Sequence, residues 1–289
     1  MSAVSSLKGR SLWRQAWRRL LANRMAVAGG IVVIVMAALA LAAPLVSPCG
    51  YDETSPEQYS PPSRHHPMGT DIHGRDLLTR VLYGARLSLG VGLVATVVSL
   101  VIGVGYGAVS GYAGGKTDEV MMRVVDIIYS LPYMFFVIIL VAVFGRSVLL
   151  LFLALGAVQW LTVARIVRGQ VLSIKEKEFI QAGYAIGAGH ARIIVHHLLP
   201  NVLGPVVVYM TLTVPAVMLQ EAFLSFLGLG VPPPASSWGT LIADGASAIN
   251  ALRIYWWLLF FPGAAMAATL FAMNFLGDGL RDAIDPQLR

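Results

Sequence analysis

Residues 175–200 read KEKEFIQAGYAIGAGHARIIVHHLLP and lie between two apolar segments that are each long enough to cross a bilayer. The stretch carries charged side chains, a group of small residues between Gln181 and Gly187, and a closing proline, Pro200. Charged groups are costly inside lipid, so this segment cannot remain in the hydrocarbon core. Residues 177–200 are therefore predicted to stand in water as a partly helical insert and to present a surface to another molecule.

The composition is that of an integral membrane protein. Of 289 residues, 57% are apolar and 12% are charged, whereas soluble domains are about 25% charged. This leaves no room for a large soluble enzyme domain beside the membrane part. The net charge of +6 is explained by basic residues on the inner side of a membrane better than by nucleic acid. The single cysteine, Cys49, cannot form a disulfide within the chain.

Six apolar runs predict an all-α integral membrane protein with six transmembrane helices. The run with 17 residues, 148–164, is the shortest. The first run is too long for the core of a cleaved signal peptide and is expected to remain as an anchor. The predicted spans are Met25–Val46, Leu87–Ser110, Val124–Phe144, Val148–Ala164, Val202–Phe226 and Tyr255–Leu276.

The distribution of Lys and Arg predicts the orientation. Basic residues concentrate in residues 1–24, 165–201 and the C-terminal segment, and are fewer in the intervening segments on the other side. Because basic loops stay in the cytoplasm, both termini and the 177–200 insert are expected inside. We predict four regions: a cytoplasmic amphipathic tail at 1–24, a first helix with an external segment at 25–85, a transmembrane domain at 86–278, and a cytoplasmic tail at 279–289.

Several smaller patterns predict how the helices pack. Gly103, Gly107 and Gly111 recur every four residues and favour close approach of a neighbouring helix. Pro132 is expected to bend the third span. The outer loop at 227–254, with Trp238 as an apolar plug, either re-enters the membrane or docks an external protein.

Catalytic motifs are missing from the sequence. GGKT at 114–117 lacks the first glycine of a phosphate loop and follows an apolar helix, not a strand. The histidines do not form a zinc-protease motif, and no nucleophile–base set is present. The chain is therefore expected to be non-catalytic, with no cofactor or metal of its own.

Two acidic residues fall within predicted spans. Asp126 lies near the inner end of the third span and Glu221 lies one turn from the outer end of the fifth. A charge in the membrane is costly, so both are expected to face protein or water. They are candidates for lining a translocation path. The alternative is a packed polar contact, which for Asp126 could involve Arg123.

The spacing of the insert resembles the EAA loop of permease subunits of ATP-binding-cassette importers. Ala182, Gly187, Leu199 and Pro200 match that pattern, while Gln181 stands where the family has Glu and Gly183 where it has Ala. Residues 110–140 (SGYAGGKTDEVMMRVVDIIYSLPYMFFVIIL) are most similar to the oligopeptide and dipeptide permeases of this family. Three further stretches resemble its peptide/nickel branch. They are HPMGTDIHGRDLLTRVLYGARLSL (66–89), AFLSFLGLGVPPPASSWGTLIADG (222–245) and GDGLRDAIDP (277–286).

The resemblance implies a type I importer permease (MetI-like) fold in a bacterial inner membrane. It also implies a second permease subunit, two ATP-binding subunits that hold ATP and magnesium, and an extracytoplasmic peptide-binding protein, with no role for nucleic acid. A nickel or glutathione importer of the same branch is an alternative, as is a receptor or scaffold that transports nothing. The residues implied in coupling to the ATPases are Phe179, Ile180, Gln181, Ala182, Gly183, Gly187 and Pro200.

Overall fold

The computed structural model describes residues 12–47, 49–249 and 253–284, with side chains from residue 16 onward. Its described part is built of helices, and the β structure within it is limited to one isolated bridge between Thr70 and Asp76. The helices are α1 (Leu12–Ala22), α2 (Arg24–Val46), α3 (Leu77–Ala113), α4 (Gly115–Ser130), α5 (Tyr133–Phe144), α6 (Val148–Lys175), α7 (Glu178–Ala185), α8 (His190–Arg192), a π-helical turn (Ile193–Leu198), α9 (Leu199–Phe226), α10 (Trp238–Ser247) and α11 (Trp256–Ile284).

Within the described ranges, five helical stretches are long and apolar enough to cross a membrane: α2, α3, α6, the continuous stretch His190–Phe226, and α11. The pair α4 and α5 makes a sixth crossing if both halves belong to one span. This agrees with the all-helical, six-span class that the hydropathy of the sequence predicts.

The third span differs from its prediction as a single helix over Val124–Phe144. The chain turns by 77° between α4 and α5, so the span consists of two helices. Pro132 lies at the break and disfavours the helical conformation for the residue before it. Accordingly, Leu131 is extended, with φ −78° and ψ 130°. The bend predicted at Pro132 is confirmed, but it is sharp enough to end one helix and begin another.

The fourth span is longer than predicted. The apolar run ends at Ala164, but α6 continues to Lys175. Arg165 and Arg168 end the hydropathic signal, yet both guanidinium groups bind carboxylates of α4, at Asp126 and Asp118 respectively. These paired arginines lie along the helix without ending it.

Helices α3 and α6 form the most extensively packed pair of the bundle, and glycines make their close approach possible. A Cβ atom added at Gly107 would lie 2.4 Å from the carbonyl oxygen of Ala164. One added at Gly103 would lie 2.5 Å from the Cβ atom of Val163. Gly111 faces the backbone of Arg168 in the same way. The predicted role of this glycine ridge in helix packing is confirmed.

The first two helices lie at one side of the bundle. Helix α2 packs mainly against α11, where a Cβ atom at Gly29 would lie 2.4 Å from the carbonyl oxygen of Ala272. Helix α1 packs Leu20 beside Ala26 and Ala283. Of the predicted tail at 1–24, residues 1–11 lie outside the described part of the chain.

Candidate coupling surface and its supporting network

The insert folds into a short helix, a tight turn and the start of the next long helix. Helix α7 ends at Ala185, and Gly187 follows with φ +82°. L-residues with side chains rarely adopt that conformation, whereas glycine does so without steric cost. The chain then re-enters a helix at His190 and continues through the π-helical turn into α9. The insert is therefore a hairpin of two helical segments that joins α6 to α9.

One side of the hairpin is anchored inside the chain. Ile180, Ile193 and Leu198 are fully buried in a cluster that also contains apolar residues of α3, α6 and α9. Burying side chains of this size contributes about 1.5–3 kcal/mol each. The apolar anchoring predicted for Ile180 is thus directed at the chain's own bundle. Gly183 is also buried, and a Cβ atom there would meet no other atom within 4 Å.

The other side of the hairpin is exposed. Phe179 is 43% exposed, and Gln181, Ala182 and Gly187 are exposed beside it. Ile186 is 86% exposed, although it stands in a segment that the charge pattern assigns to water. The two exposed apolar side chains, Phe179 and Ile186, make this side of the hairpin a candidate surface for binding another protein. Sequence analysis missed Ile186, but an isoleucine directly before a turn glycine in a polar loop was the available signal.

Pro200 lies in the first turn of α9, directly after the π-helical turn. Proline has no N–H group, so the carbonyl of His196 cannot receive a regular helical hydrogen bond from position 200. The N–H group of Leu199 instead bonds the carbonyl of Ile194, five residues earlier. The π-helical turn is consistent with this missing donor, and it joins the hairpin to α9 without a break in the helical rod.

Helix α4 is attached to α6 mainly through charges. Among its described residues only Asp118 and Val125 are buried. Asp118 accepts two hydrogen bonds from Arg168, at 2.5 and 2.6 Å, and one from Ser110. Asp126 accepts from Arg165 at 2.7 Å, and that guanidinium group also lies 4.4 Å from the ring centre of Tyr129. The partner of Asp126 is therefore Arg165 of the neighbouring helix α6, and not Arg123 as the sequence suggested.

Glu221 is buried within the chain. Its side chain is 1% exposed, and one carboxylate oxygen accepts hydrogen bonds from Ser225 at 2.7 Å and Ser237 at 2.6 Å. Ser237 also caps the N-terminus of α10, together with Thr240. Glu221 thereby ties the loop after α9 to α9 itself. The path role predicted for Glu221 and Asp126 stays a prediction.

The outer loop at 227–254, as far as it is described, packs onto the bundle. The Trp238 side chain is 1% exposed and donates from its indole nitrogen to the carbonyl of Val81 at 2.9 Å. The prediction that Trp238 is an apolar plug is confirmed. Residues 250–252 lie outside the described part, and the choice between a re-entrant and a docking loop stays open.

A charged cluster that the sequence did not reveal lies beside this loop. Asp71 accepts hydrogen bonds from Arg75 at 2.7 Å and from Arg80 at 2.6 Å, and Asp244 lies 3.7 Å from Arg80. Burial by itself would raise the pKa of Asp71, but Arg80, together with hydrogen bonds and charge from Arg75, holds it below its ordinary value. The cluster borders a cleft of about 420 Å³.

Comparison with known proteins decides the family. Residues 80–289 match the family described as the inner membrane component of binding-protein-dependent transport systems. Residues 11–63 match the N-terminal transmembrane domain of oligopeptide transport permease C.

The chain belongs to the inner-membrane component family of binding-protein-dependent transport systems. It is 52% identical to the oligopeptide transport system permease protein OppC of Escherichia coli K12, covering 98% of this chain and 94% of that protein. It is 49% identical to the OppC protein of Haemophilus influenzae, covering 98% and 91%. It is 47% identical to the dipeptide transport system permease protein DppC of Bacillus subtilis, covering 96% and 87%.

As a member of this permease family, the chain is a multi-pass membrane protein with the type I permease fold that its helices suggest. Among the described residues, no three His, Cys, Asp or Glu side chains lie close enough to hold a metal ion.

Proposed function

We propose that this chain is one of two permease subunits of an ATP-driven importer that moves oligopeptides or dipeptides into the cytoplasm. The relatives named above are transport permeases for oligopeptides and dipeptides, which supports the class of cargo. In this assembly a second permease subunit supplies the other half of the path. An extracytoplasmic binding protein delivers the peptide, and two ATP-binding subunits hold ATP and magnesium. The chain itself carries no catalytic step.

The observation that carries the proposal is the exposed face of the α7 hairpin. Its small and apolar residues (Phe179, Ala182, Ile186) surround a glycine turn and suit a groove on a neighbouring protein. Its opposite face is part of the buried cluster shared with α3, α6 and α9. A close-packed interior transmits displacement because it resists compression. Movement of an ATPase against this face would therefore displace three membrane helices together.

The expected cycle follows from this connection. Closure of the two ATPases on ATP draws the hairpins of both permease subunits together and opens the path outward, and release returns it inward. ATP thus biases a two-state element at a distance from the cargo, which is the requirement for allosteric coupling. For this cycle the α7 hairpin and both termini must be cytoplasmic.

We further propose that Asp126 contributes to the path together with Arg165. This pair is partly exposed, with 56% of the Asp126 side chain and 40% of the Arg165 side chain accessible. Glu221 would act on the path through the loop after α9, which it holds by Ser237.

Substitution of Gly187 tests the coupling role. Gly187→Trp places a large side chain at the exposed turn, where a Cβ atom meets nothing within 4 Å. The chain should still insert and bind the second permease subunit, but peptide uptake should fall to background because the ATPase surface is held away. Uptake is measured in cells that express all five components, and ATPase association is measured by co-purification.

Gly145→Trp is the matched control. Gly145 has φ +80° and equally open surroundings, but it lies in the turn between α5 and α6, on the predicted outer side. This variant carries the same backbone strain and should retain uptake within about twofold of the parent. Normal uptake by Gly187→Trp, or equal loss in both variants, contradicts the proposed docking role.

A further inference from the structure

We propose that Tyr112 is the positioning residue that fixes the orientation of the coupling helix α7 relative to the bundle. The inference rests on the proposed coupling function and assigns to it a residue outside the 177–200 insert. Tyr112 lies in the last turn of α3, next to Ala113, where that helix ends. Neither the composition nor the motif of the insert points to this position.

The polar attachments of α7 converge on one place. Among the described residues, α7 makes two side-chain hydrogen bonds to the rest of the chain. The Tyr184 hydroxyl donates to the Tyr112 hydroxyl at 3.0 Å, and the Gln181 amide donates to the carbonyl of Lys175 at 3.3 Å. Lys175 in turn donates from Nζ to the carbonyl of Tyr112 at 2.6 Å. Both attachments therefore lead to the pair Tyr112 and Lys175.

The far end of the hairpin reaches the same residue. The Tyr112 hydroxyl contacts Nδ1 of His190 in a short hydrogen bond, and the two rings meet edge to face with centres 5.7 Å apart. His190 is the first residue of the helical rod that becomes α9. One hydroxyl group thus joins the end of α3, the helix before the Gly187 turn and the helix after it.

Lys175 fixes the position of the Tyr112 backbone. The last carbonyl groups of a helix have no partner within it, and a cation near a helix C-terminus interacts favourably with the helix dipole. At the end of α3, Lys175 supplies a hydrogen-bond donor for the carbonyl of Tyr112 and a positive charge near the helix C-terminus. Its ammonium group also lies 5.4 Å from the centre of the Tyr112 ring. The tyrosine hydroxyl is therefore held at a defined point between α3 and α6.

Apolar burial alone would leave the angle of α7 poorly defined. The eight-residue helix buries the Ile180 side chain in the cluster and packs the partly buried Tyr184 ring against it, and apolar burial is non-directional. Hydrogen bonds are directional, so the Tyr184–Tyr112–His190 contacts define the rotation of α7 about Ile180. When an ATPase moves the exposed face, this restraint makes the bundle follow, because α7 cannot roll in place.

The test uses the complete transporter, reconstituted in liposomes with its binding protein and an oligopeptide. Tyr112→Phe removes the hydroxyl and keeps the ring that packs beside Lys175 and His190. We expect assembly and ATP hydrolysis to remain within about twofold of the parent, while peptide taken up per ATP hydrolysed falls about threefold to tenfold. Tyr184→Phe removes the hydrogen bond from α7 to the Tyr112 hydroxyl but keeps the contact between Tyr112 and His190. It should therefore lower the same ratio by a smaller factor.

Tyr106→Phe is the matched control on the same helix. The Tyr106 hydroxyl donates to the carbonyl of Met121 in α4 and has no contact with the hairpin, so this variant should keep the parental ratio. An unchanged ratio in Tyr112→Phe, or an equal fall in Tyr106→Phe, overturns the positioning role. If Tyr112→Phe lowers yield, hydrogen exchange of the α7 backbone in the purified complex decides: faster exchange than in Tyr106→Phe supports the role and equal exchange overturns it. If the parental chain neither binds ATPases nor transports peptide, the proposed function itself fails.

Discussion

At the scale of single residues, buried charges organise the part of the chain outside the membrane. Asp71 is 4% exposed and so is Arg80, and Asp71 also accepts hydrogen bonds from the N–H groups of His73 and Arg75 at 2.8 and 2.9 Å. A carboxylate with this many donors stabilises the fold in its ionised form. Asp71 is therefore one of the side chains that order the segment before α3, together with the buried Asp76, which contacts His66 and caps α3.

The lowered pKa of Asp71 predicts that the outer segment loosens in acid. Stability contributed by a carboxylate with a lowered folded-state pKa is present above the unfolded-state pKa of about 3.9, and is lost as pH falls through the folded-state value. Asp71→Asn should remove this dependence and destabilise the segment at neutral pH by about 3–5 kcal/mol, since the buried Arg80 and the partly buried Arg75 lose the carboxylate that they share. Hydrogen exchange of the His73 and Arg75 amides, corrected for intrinsic rates, measures both effects.

Asp52→Asn, at an exposed site of the same segment, is the control and should leave the protection unchanged. Protection of the His73 and Arg75 amides that does not vary with pH below about 4 would show that the ionised Asp71 is not what holds this segment.

At the scale of elements, hydropathy located the membrane helices well and their ends poorly. Apolar runs reveal the lipid-facing part of a helix, but α6 continues beyond Ala164 because Arg165 and Arg168 find carboxylates on α4. That pairing joins residues about forty or fifty positions apart, so no local pattern contains it. Pro132 did predict the bend of the third span, since its effect acts on the neighbouring residue.

In the candidate site, too, local features were predictable from the sequence and contacts between distant segments were not. The spacing of Ala182, Gly187 and Pro200 located the hairpin because the pattern is local. It did not indicate that Ile180 points into the bundle or that Tyr112 contacts Tyr184, because both depend on how α3 and α6 meet the hairpin. The glycine repeat predicted that another helix would approach α3 closely, but it did not predict that this helix is α6.

The close packing of α3 against α6 at Gly107 leads to a testable prediction about stability. Gly107→Ala places a Cβ atom 2.4 Å from the carbonyl oxygen of Ala164, so α3 and α6 must separate. Overpacking of this kind costs about 1–3 kcal/mol. Gly105→Ala is the control, because a Cβ atom there meets nothing within 4 Å. Unfolding in a detergent titration should show a lower midpoint for Gly107→Ala alone, and equal midpoints would contradict packing through the ridge.

At the scale of the whole molecule, the bent pair α4–α5 decides which side of the membrane carries the hairpin. The two helices are about 24 and 18 Å long at 1.5 Å per residue, and the hydrocarbon core is about 30 Å thick. Neither half crosses alone, so a complete crossing requires both. If the pair instead re-entered and left on the same side, every later segment would be inverted and the α7 hairpin would face outward.

Cysteine labelling at three exposed positions resolves this question. With Cys49→Ser as the background, single substitutions are made at Asp52, Arg146 and Lys177, which are all exposed. A membrane-impermeant maleimide applied to intact cells should label positions 52 and 146, while position 177 should react only after permeabilisation. A re-entrant pair would label 52 and 177, and an inverted N-terminus would label 177 alone. Because each topology gives its own pattern, labelling at 177 in intact cells would place the hairpin where no ATPase can reach it and would remove the basis for coupling.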